Sequence, residues 1–150
     1  MSSYSKIFRI LDANVNRFCE GCRVIEDFLR FYENYKEFLF RIRSLRITMR
    51  SLILSYPELN EKLIKSRNIN SDPGAGDLWD TKNIRRNDIK DLLFASFKRM
   101  EESARTLEEF SKIVVPDISV KFKQLRFKTY NLEQKLINKI NNKKQKEKKK

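Results

Sequence analysis

Two sets of charged residues in matching order lie 82 positions apart: Asn16, Glu20, Arg23 and Asp27, then Lys98, Glu102, Arg105 and Glu109. At 100° per residue each set falls on one narrow helical stripe, opposite the apolar face. Such a stripe has two readings. It is a solvated surface laced by i,i+3 and i,i+4 ion pairs of about 0.2–0.5 kcal/mol each, or a specific constellation of acids and guanidinium groups. The chain has no His, so it lacks the usual general base near neutral pH. Phosphoryl transfer needs such a base least, because its catalysis rests on positioning and on charge stabilisation by Arg, Lys and carboxylate-held Mg²⁺.

The repetition extends beyond the charges. Ala13, Arg17, Glu20, Arg23, Glu26 and Phe28 return as Ala95, Arg99, Glu102, Arg105, Glu108 and Phe110, and Leu45-Arg46 with Leu52 is echoed 80 positions on by Leu125-Arg126 with Leu132. The repeating unit is therefore read as a pair of helices. Gly21, whose counterpart is the equally small Ser103, costs a helix about 1 kcal/mol relative to Ala and marks a close approach. If the two signature helices cross at Gly21 and Ser103, then Glu20, Arg23, Glu102 and Arg105 converge near a pseudo-twofold axis.

Apolar spacing predicts the elements that would position these residues. A first helix runs from near Ile7 to about Phe31, burying Leu11, Val15, Phe18, Cys22, Ile25 and Leu29. A second covers Glu37 to Ser55, and Pro57 ends it or opens a short helix. The segment from Ser66 to Asp77, with Pro73, Gly74 and Gly76, reads as the one long loop, a plain turn or a phosphate loop. Helical spacing resumes from near Asn87 to about Ile113, and a last helix runs from Ile118 to Asn141. The predicted fold is all-α: a four-helix-type bundle of two duplicated hairpins, residues 7–56 and 87–138, with a loop at 66–84 between them.

With three Gly, three Pro and 40% apolar residues, 150 residues suit one helical domain over residues 1–138. The net charge is +13, but residues 139–150 hold seven Lys and one Glu, so +6 sits there and +7 elsewhere. That segment reads as a basic disordered tail, able to make weak, non-specific polyanion contacts. Cys19 and Cys22 form a CxxC, but with no second Cys pair and no His they read as buried small hydrophobes. No run approaches a membrane span and the first residues lack a signal-peptide core, so a cytoplasmic chain with no membrane partner is expected.

The run Arg9-Ile10-Leu11-Asp12-Ala13-Asn14-Val15-Asn16-Arg17, followed by Glu20-Gly21, Arg23-Val24-Ile25-Glu26-Asp27 and Arg30-Phe31, resembles the helical domain fused to thiamine-phosphate synthase in various bacteria. The likeness continues through Ser66-Arg67, Asp72, Gly74, Phe97-Lys98-Arg99, Glu102, Arg105, Leu107-Glu108-Glu109-Phe110 and Lys112 to Leu125-Arg126-Phe127, Tyr130 and Leu132-Glu133. Ile47 stands where that family commonly has His, Asn68 where it has Asp, and Pro73 interrupts its Asp-Val-Gly. The synthase's own barrel of roughly 200 residues has no room in this sequence.

The resemblance implies a thiamine-biosynthesis protein that phosphorylates hydroxymethylpyrimidine phosphate to the diphosphate, with ATP and Mg²⁺ as cofactors. By residue type, Arg17, Arg23, Arg99 and Arg105 are expected to steady phosphates, while Glu20, Asp27, Glu102 and Glu109 hold Mg²⁺ or orient those arginines. Asn14 and Asn16 would contact the pyrimidine, Arg67, Asp72 and Gly74 would close over it, and Arg126 joins the substrate-binding set. Two other readings stand beside this one. The first is a non-catalytic helical module that docks on a separate thiamine-phosphate synthase, and the second is a basic nucleic-acid-binding protein.

Overall fold

The computed structural model describes residues 2–75 and 85–149. Five α-helices follow one another: α1 (Ser3–Asp27), α2 (Lys36–Leu54), α3 (Pro57–Lys65), α4 (Ile89–Val114) and α5 (Pro116–Lys148). Among the described residues there is no strand, so the all-α prediction holds. Local chemistry sets most of the boundaries. The Ser2 hydroxyl accepts from the Ser5 amide at 3.2 Å to start α1, and Asp88 accepts from the Asp91 amide at 2.9 Å to start α4. Pro57 and Pro116 open α3 and α5 at first-turn positions, where no amide hydrogen is missed.

The first helix does not run uniformly to Phe31. It loosens into a π-helical turn over Phe28–Tyr32, where the Phe28 and Tyr32 rings stack at 5.5 Å. Asn34, at φ 56, then reverses the chain in the left-handed region that Asn tolerates.

α1 and α4 form the central pair; α2 and α3 pack on α1, and α5 packs along α4. The predicted stripe is the core: Leu11, Val15, Phe18, Cys22, Ile25 and Leu29 are buried, joined by Phe97, Met100, Leu107, Phe122 and Leu136 from the second half. Cys19 and Cys22 are free and buried, and burial pushes both thiols up. They are core residues, as their setting beside the apolar stripe suggested.

The last helix extends further than the sequence reading had it. It continues past Asn141 to Lys148, into the segment expected to be a disordered tail. Ile140 is buried, Lys143 reaches Glu33 at 2.7 Å, and Lys139 and Lys143 lie over the Tyr35 ring. The start of this segment thus packs against Glu33 and Tyr35, which follow the π-helical turn. Among the described residues no helix is long and apolar enough to cross a membrane.

Candidate functional site

The acids that form the strongest ion pairs are neighbours of the striped ones. Glu26 accepts from Arg46 through Nε and, at 3.2 Å, through Nη2, with Arg23 beside it at 3.4 Å. Glu108 accepts from Arg126 at 2.7 and 3.2 Å, with Arg105 at 3.3 Å. Each pair ties the signature helix to the helix packed on it, α1 to α2 and α4 to α5. Burial alone would push the Glu108 carboxyl up, but the hydrogen bonds and charges of Arg126 and Arg105 together outweigh it and hold it below the ordinary range. Arg126 is thereby engaged within the bundle. The signal was present in the sequence, since Glu26 with Arg46 and Glu108 with Arg126 belong to the same echo.

Glu20, Arg23, Asp27, Glu102, Arg105 and Glu109 are all exposed. Glu20 pairs across the helices with Arg99 at 3.2 Å, whereas Arg105 lies 3.2 Å from Glu109 on its own helix and Glu109 also meets Lys112. Asn16 accepts from Arg50. No group of three described Cys, Asp or Glu side chains is placed to hold a metal ion by itself.

Gly21 does mark a close approach, but to a different partner. A Cβ built there would lie 2.7 Å from Met100 Cγ and 2.9 Å from the Ser96 carbonyl oxygen. Ser103, buried on the same helix, donates its hydroxyl to the Arg99 carbonyl instead. The contact is offset because α1 and α4 run past each other with Glu20 opposite Arg99. Arg23 and Arg105 thus point to their own helices' acids, not to one shared centre.

The substrate-side candidates meet more closely. A cleft of about 550 Å³ lies between the first half of α1 and the loop after α3, lined by Lys6, Arg9, Asn14, Arg17 and Asp72 among others. Two contacts pin the loop. Arg67 makes a bidentate bond to Asp12 at 2.6 and 2.8 Å, and Arg9 donates to the Asn68 carbonyl at 2.6 Å and the Ser71 hydroxyl at 3.1 Å. Asp72 accepts from the Gly74 amide at 2.9 Å, closing a tight turn. The expected loop partners Gly76 and Asp77 lie outside the described residues. Asn14 donates to the Ile10 carbonyl at 2.8 Å, which leaves its oxygen as an acceptor for a ligand. Of the residues singled out in the sequence, Asn14, Arg17 and Asp72 line this cleft and Arg67 and Gly74 belong to the loop beside it; Lys6 and Arg9, not among those candidates, line it too. Arg9, Ala13 and Arg17 at i, i+4 and i+8 form one row on α1, which is the pattern that could have found Arg9.

A third cluster had no place in the sequence reading. Glu101, 3% exposed, meets Lys98 at 2.6 Å, and Lys98 meets Glu133 at 3.0 Å; Glu101 Oε1 has no hydrogen-bond partner. Burial, then the hydrogen bond with Glu133, pushes the Glu101 carboxyl up from 4.5 to about 7, against the pull of Lys98. Because the folded value lies above the unfolded one, this group's stabilisation is complete below about pH 4.5 and lost as pH rises through 7. Thermal unfolding should show the protein less stable at pH 8 than at pH 5 by roughly 2 kcal/mol from this group, a figure discounted for Lys98 and for screening. Glu101→Gln should flatten that dependence, and an unchanged slope in the variant would exclude Glu101 as its source.

The profile of the ThiD2 family matches residues 9–135. Among similar proteins is a thiamine-phosphate synthase of Nostoc punctiforme, 37% identical over 131 residues, which are 87% of this chain and 35% of the relative. Those of Gloeobacter violaceus and Synechocystis sp. are each 35% identical over 127 and 136 residues, covering 85% and 91% of this chain and 35% and 38% of theirs. The chain spans about a third of the length of the curated relatives it matches. No solved structure matches it.

Proposed function

Because this chain belongs to the ThiD2 family, a family of thiamine biosynthesis, we propose that it is a helical module that binds a pyrimidine phosphate and works beside a thiamine-phosphate synthase. The observation that carries this reading is the cleft under the Arg67–Asp12 bridge. Lys6, Arg9 and Arg17 there face a single carboxylate, Asp72, and no ion pair compensates the three cations among the described residues. Fixed cations around a concave site attract a phosphate ester, and a guanidinium grips it through two oxygens. Asn14 supplies the acceptor that an aminopyrimidine needs.

The docking half of this reading has its own surface. Between α2 and α5 runs a groove of about 610 Å³ with Leu45 and Leu132 as its floor and Phe40 and Phe127 standing exposed beside it. Aromatic side chains on such a rim suit a protein partner, here proposed to be the synthase.

A second reading is ATP-dependent phosphorylation of hydroxymethylpyrimidine phosphate in the same cleft. A phosphate oxygen of hydroxymethylpyrimidine phosphate would attack the γ-phosphorus of ATP, breaking its bond to the β–γ bridging oxygen, releasing ADP and forming the diphosphate. The surplus of cations over Asp72 favours it, since more than one phosphate is then accommodated. ATP and Mg²⁺ are co-reactants of this proposal; metal held mainly by the nucleotide's phosphates would need few protein carboxylates.

Calorimetric titration of the full chain with hydroxymethylpyrimidine phosphate tests the cleft. Saturable binding is expected, weakened at least tenfold by Arg17→Gln, in line with the loss of a charge-assisted contact of about 1.5–3 kcal/mol. Unaltered affinity in that variant would overturn the assignment. Adding Mg-ATP and following ADP separates the two readings: turnover supports the kinase, and binding without turnover supports the module.

A further inference from the structure

The bundle carries a second cleft that repeats the first. The phosphate-binding cleft proposed above uses Ile10, Ala13, Asn14 and Arg17 of α1. A separate cleft of about 320 Å³ uses Leu92, Ala95, Ser96 and Arg99 of α4, each 82 positions further along the chain. The two adjoin. Glu20 lines the second cleft, lies one helical turn from Arg17 on α1, and is bonded to Arg99 at 3.2 Å.

The second cleft differs from the first in charge and size. Positions 6 and 9 of the first cleft hold Lys and Arg; their counterparts 88 and 91 are both Asp and are spent on local bonds. Asp88 accepts from the Asp91 amide and Asp91 from the Asn87 amide. Arg86 takes their place as the second cation of the smaller cleft. Three cations and Asp72 leave +2 around the first, whereas Arg86, Arg99 and Glu20 leave +1 around the second. The interior is apolar and short-chained: Gly21 and Ala95 offer no bulk, and the wall includes Val24 and Leu92. This is room for a small flat ring, with two guanidinium groups for a single phosphate.

We propose that this α4 cleft is a second binding site for a small, ring-bearing phosphomonoester, placed so that its ligand lies beside the one held under the loop. The proposal rests on the reading of the first cleft as a phosphate site. One molecule can then hold two phosphate esters at once, with Arg17 of the first cleft about one turn of α1 from Glu20, the partner of Arg99 in the second. That spacing brings two ligands together on a rigid pair of helices, which is the requirement for any exchange between them.

Amide NMR of the full chain, titrated with inorganic phosphate and then with hydroxymethylpyrimidine phosphate at 0.15 M salt, tests this. Two saturable sets of shifts are expected, one around Ala13 and one around Ala95. Arg99→Gln should weaken the Ala95 set at least tenfold and leave the Ala13 set within twofold; Arg17→Gln should do the reverse. Glu20→Gln, which removes the carboxylate from the second cleft, should tighten the Ala95 set several-fold. Shifts at Ala13 alone would overturn the second site and spare the first. Shifts at Ala95 alone would overturn the first reading, and shifts at neither would overturn both. Loss of the amide spectrum in a variant would be met by using Arg86→Gln, on an exposed residue outside the helices, with the same expectation for Ala95.

Discussion

Gly21→Leu is expected to prevent folding, and Gly21→Ala to lower stability by about 1–3 kcal/mol. Even the single methyl of alanine would meet the Ser96 carbonyl oxygen at 2.9 Å and Met100 Cγ at 2.7 Å. The methionine is fully buried and the carbonyl belongs to α4's backbone, so neither yields without moving the helix. The gain in helix propensity on replacing glycine, about 1 kcal/mol, opposes the loss without cancelling it. At this chain length the alanine variant's melting temperature should fall by roughly 3–10 °C, and calorimetry would measure it. An alanine variant as stable as the parent would show that α1 and α4 do not approach this closely. Because Gly21 lines the α4 cleft and not the first, a folded Gly21→Ala protein should bind phosphate more weakly in the α4 cleft while the first cleft keeps its affinity.

The other large effect is expected at the two Glu–Arg pairs. Glu26→Ala leaves the Arg46 guanidinium, 18% exposed, without its carboxylate, and Glu108→Ala does the same to Arg126, 13% exposed. Each should cost about 3 kcal/mol, because the remaining charge stays largely out of water. Replacing both partners, as in Glu26→Met with Arg46→Met, should recover most of the loss, since no unpaired charge is left. Denaturant titration of the two singles and the double gives the coupling directly. The exposed Glu20–Arg99 pair supplies the contrast. Water screens it, so Glu20→Gln should change stability by less than about 1 kcal/mol. Equal costs at Glu20 and Glu26 would mean that burial does not set the strength of these pairs.

These expectations invert the ranking that the charged stripes suggested. Glu20, Glu102 and their neighbours drew attention because their order recurs and because helical geometry aligned them. Glu26 and Glu108 recur equally well, but each follows Ile25 or Leu107 on the edge of the apolar stripe, where a carboxylate is expected only if paired. Their partners Arg46 and Arg126 lie 20 and 18 residues away, on helices whose rotation about α1 and α4 no local pattern expresses. The same is true of Glu101. Its position is equivalent to that of buried Cys19; Lys98 lies one turn back on its own helix, and only the packing of α5 brings Glu133 to the pair.

The cleft was more legible. Asn14 and Arg17 stand in the most specific motif of the chain, and Ser66-Arg67 with Asp72 and Gly74 marks a turn after a helix. What the residues could not express is that Arg67 reaches back 55 positions to Asp12 and so lays the loop over α1. The lysine-rich segment read as a tail continues α5 to Lys148, with Ile140 buried and Lys143 paired with Glu33.

Taken alone, the amino-acid sequence determined the all-α class, the helix spans to within a few residues except at the end of α5, the buried stripe of α1 and the close approach at Gly21. Each of these follows from interactions within a few residues of one another, through helical period, capping and the special geometry of glycine and proline. Tertiary structure alone decided which acids are buried, which arginine each one holds, and which cations line one cleft. Those properties depend on the angle and offset at which helices pack, and a charge's strength is set by how much water its neighbours exclude.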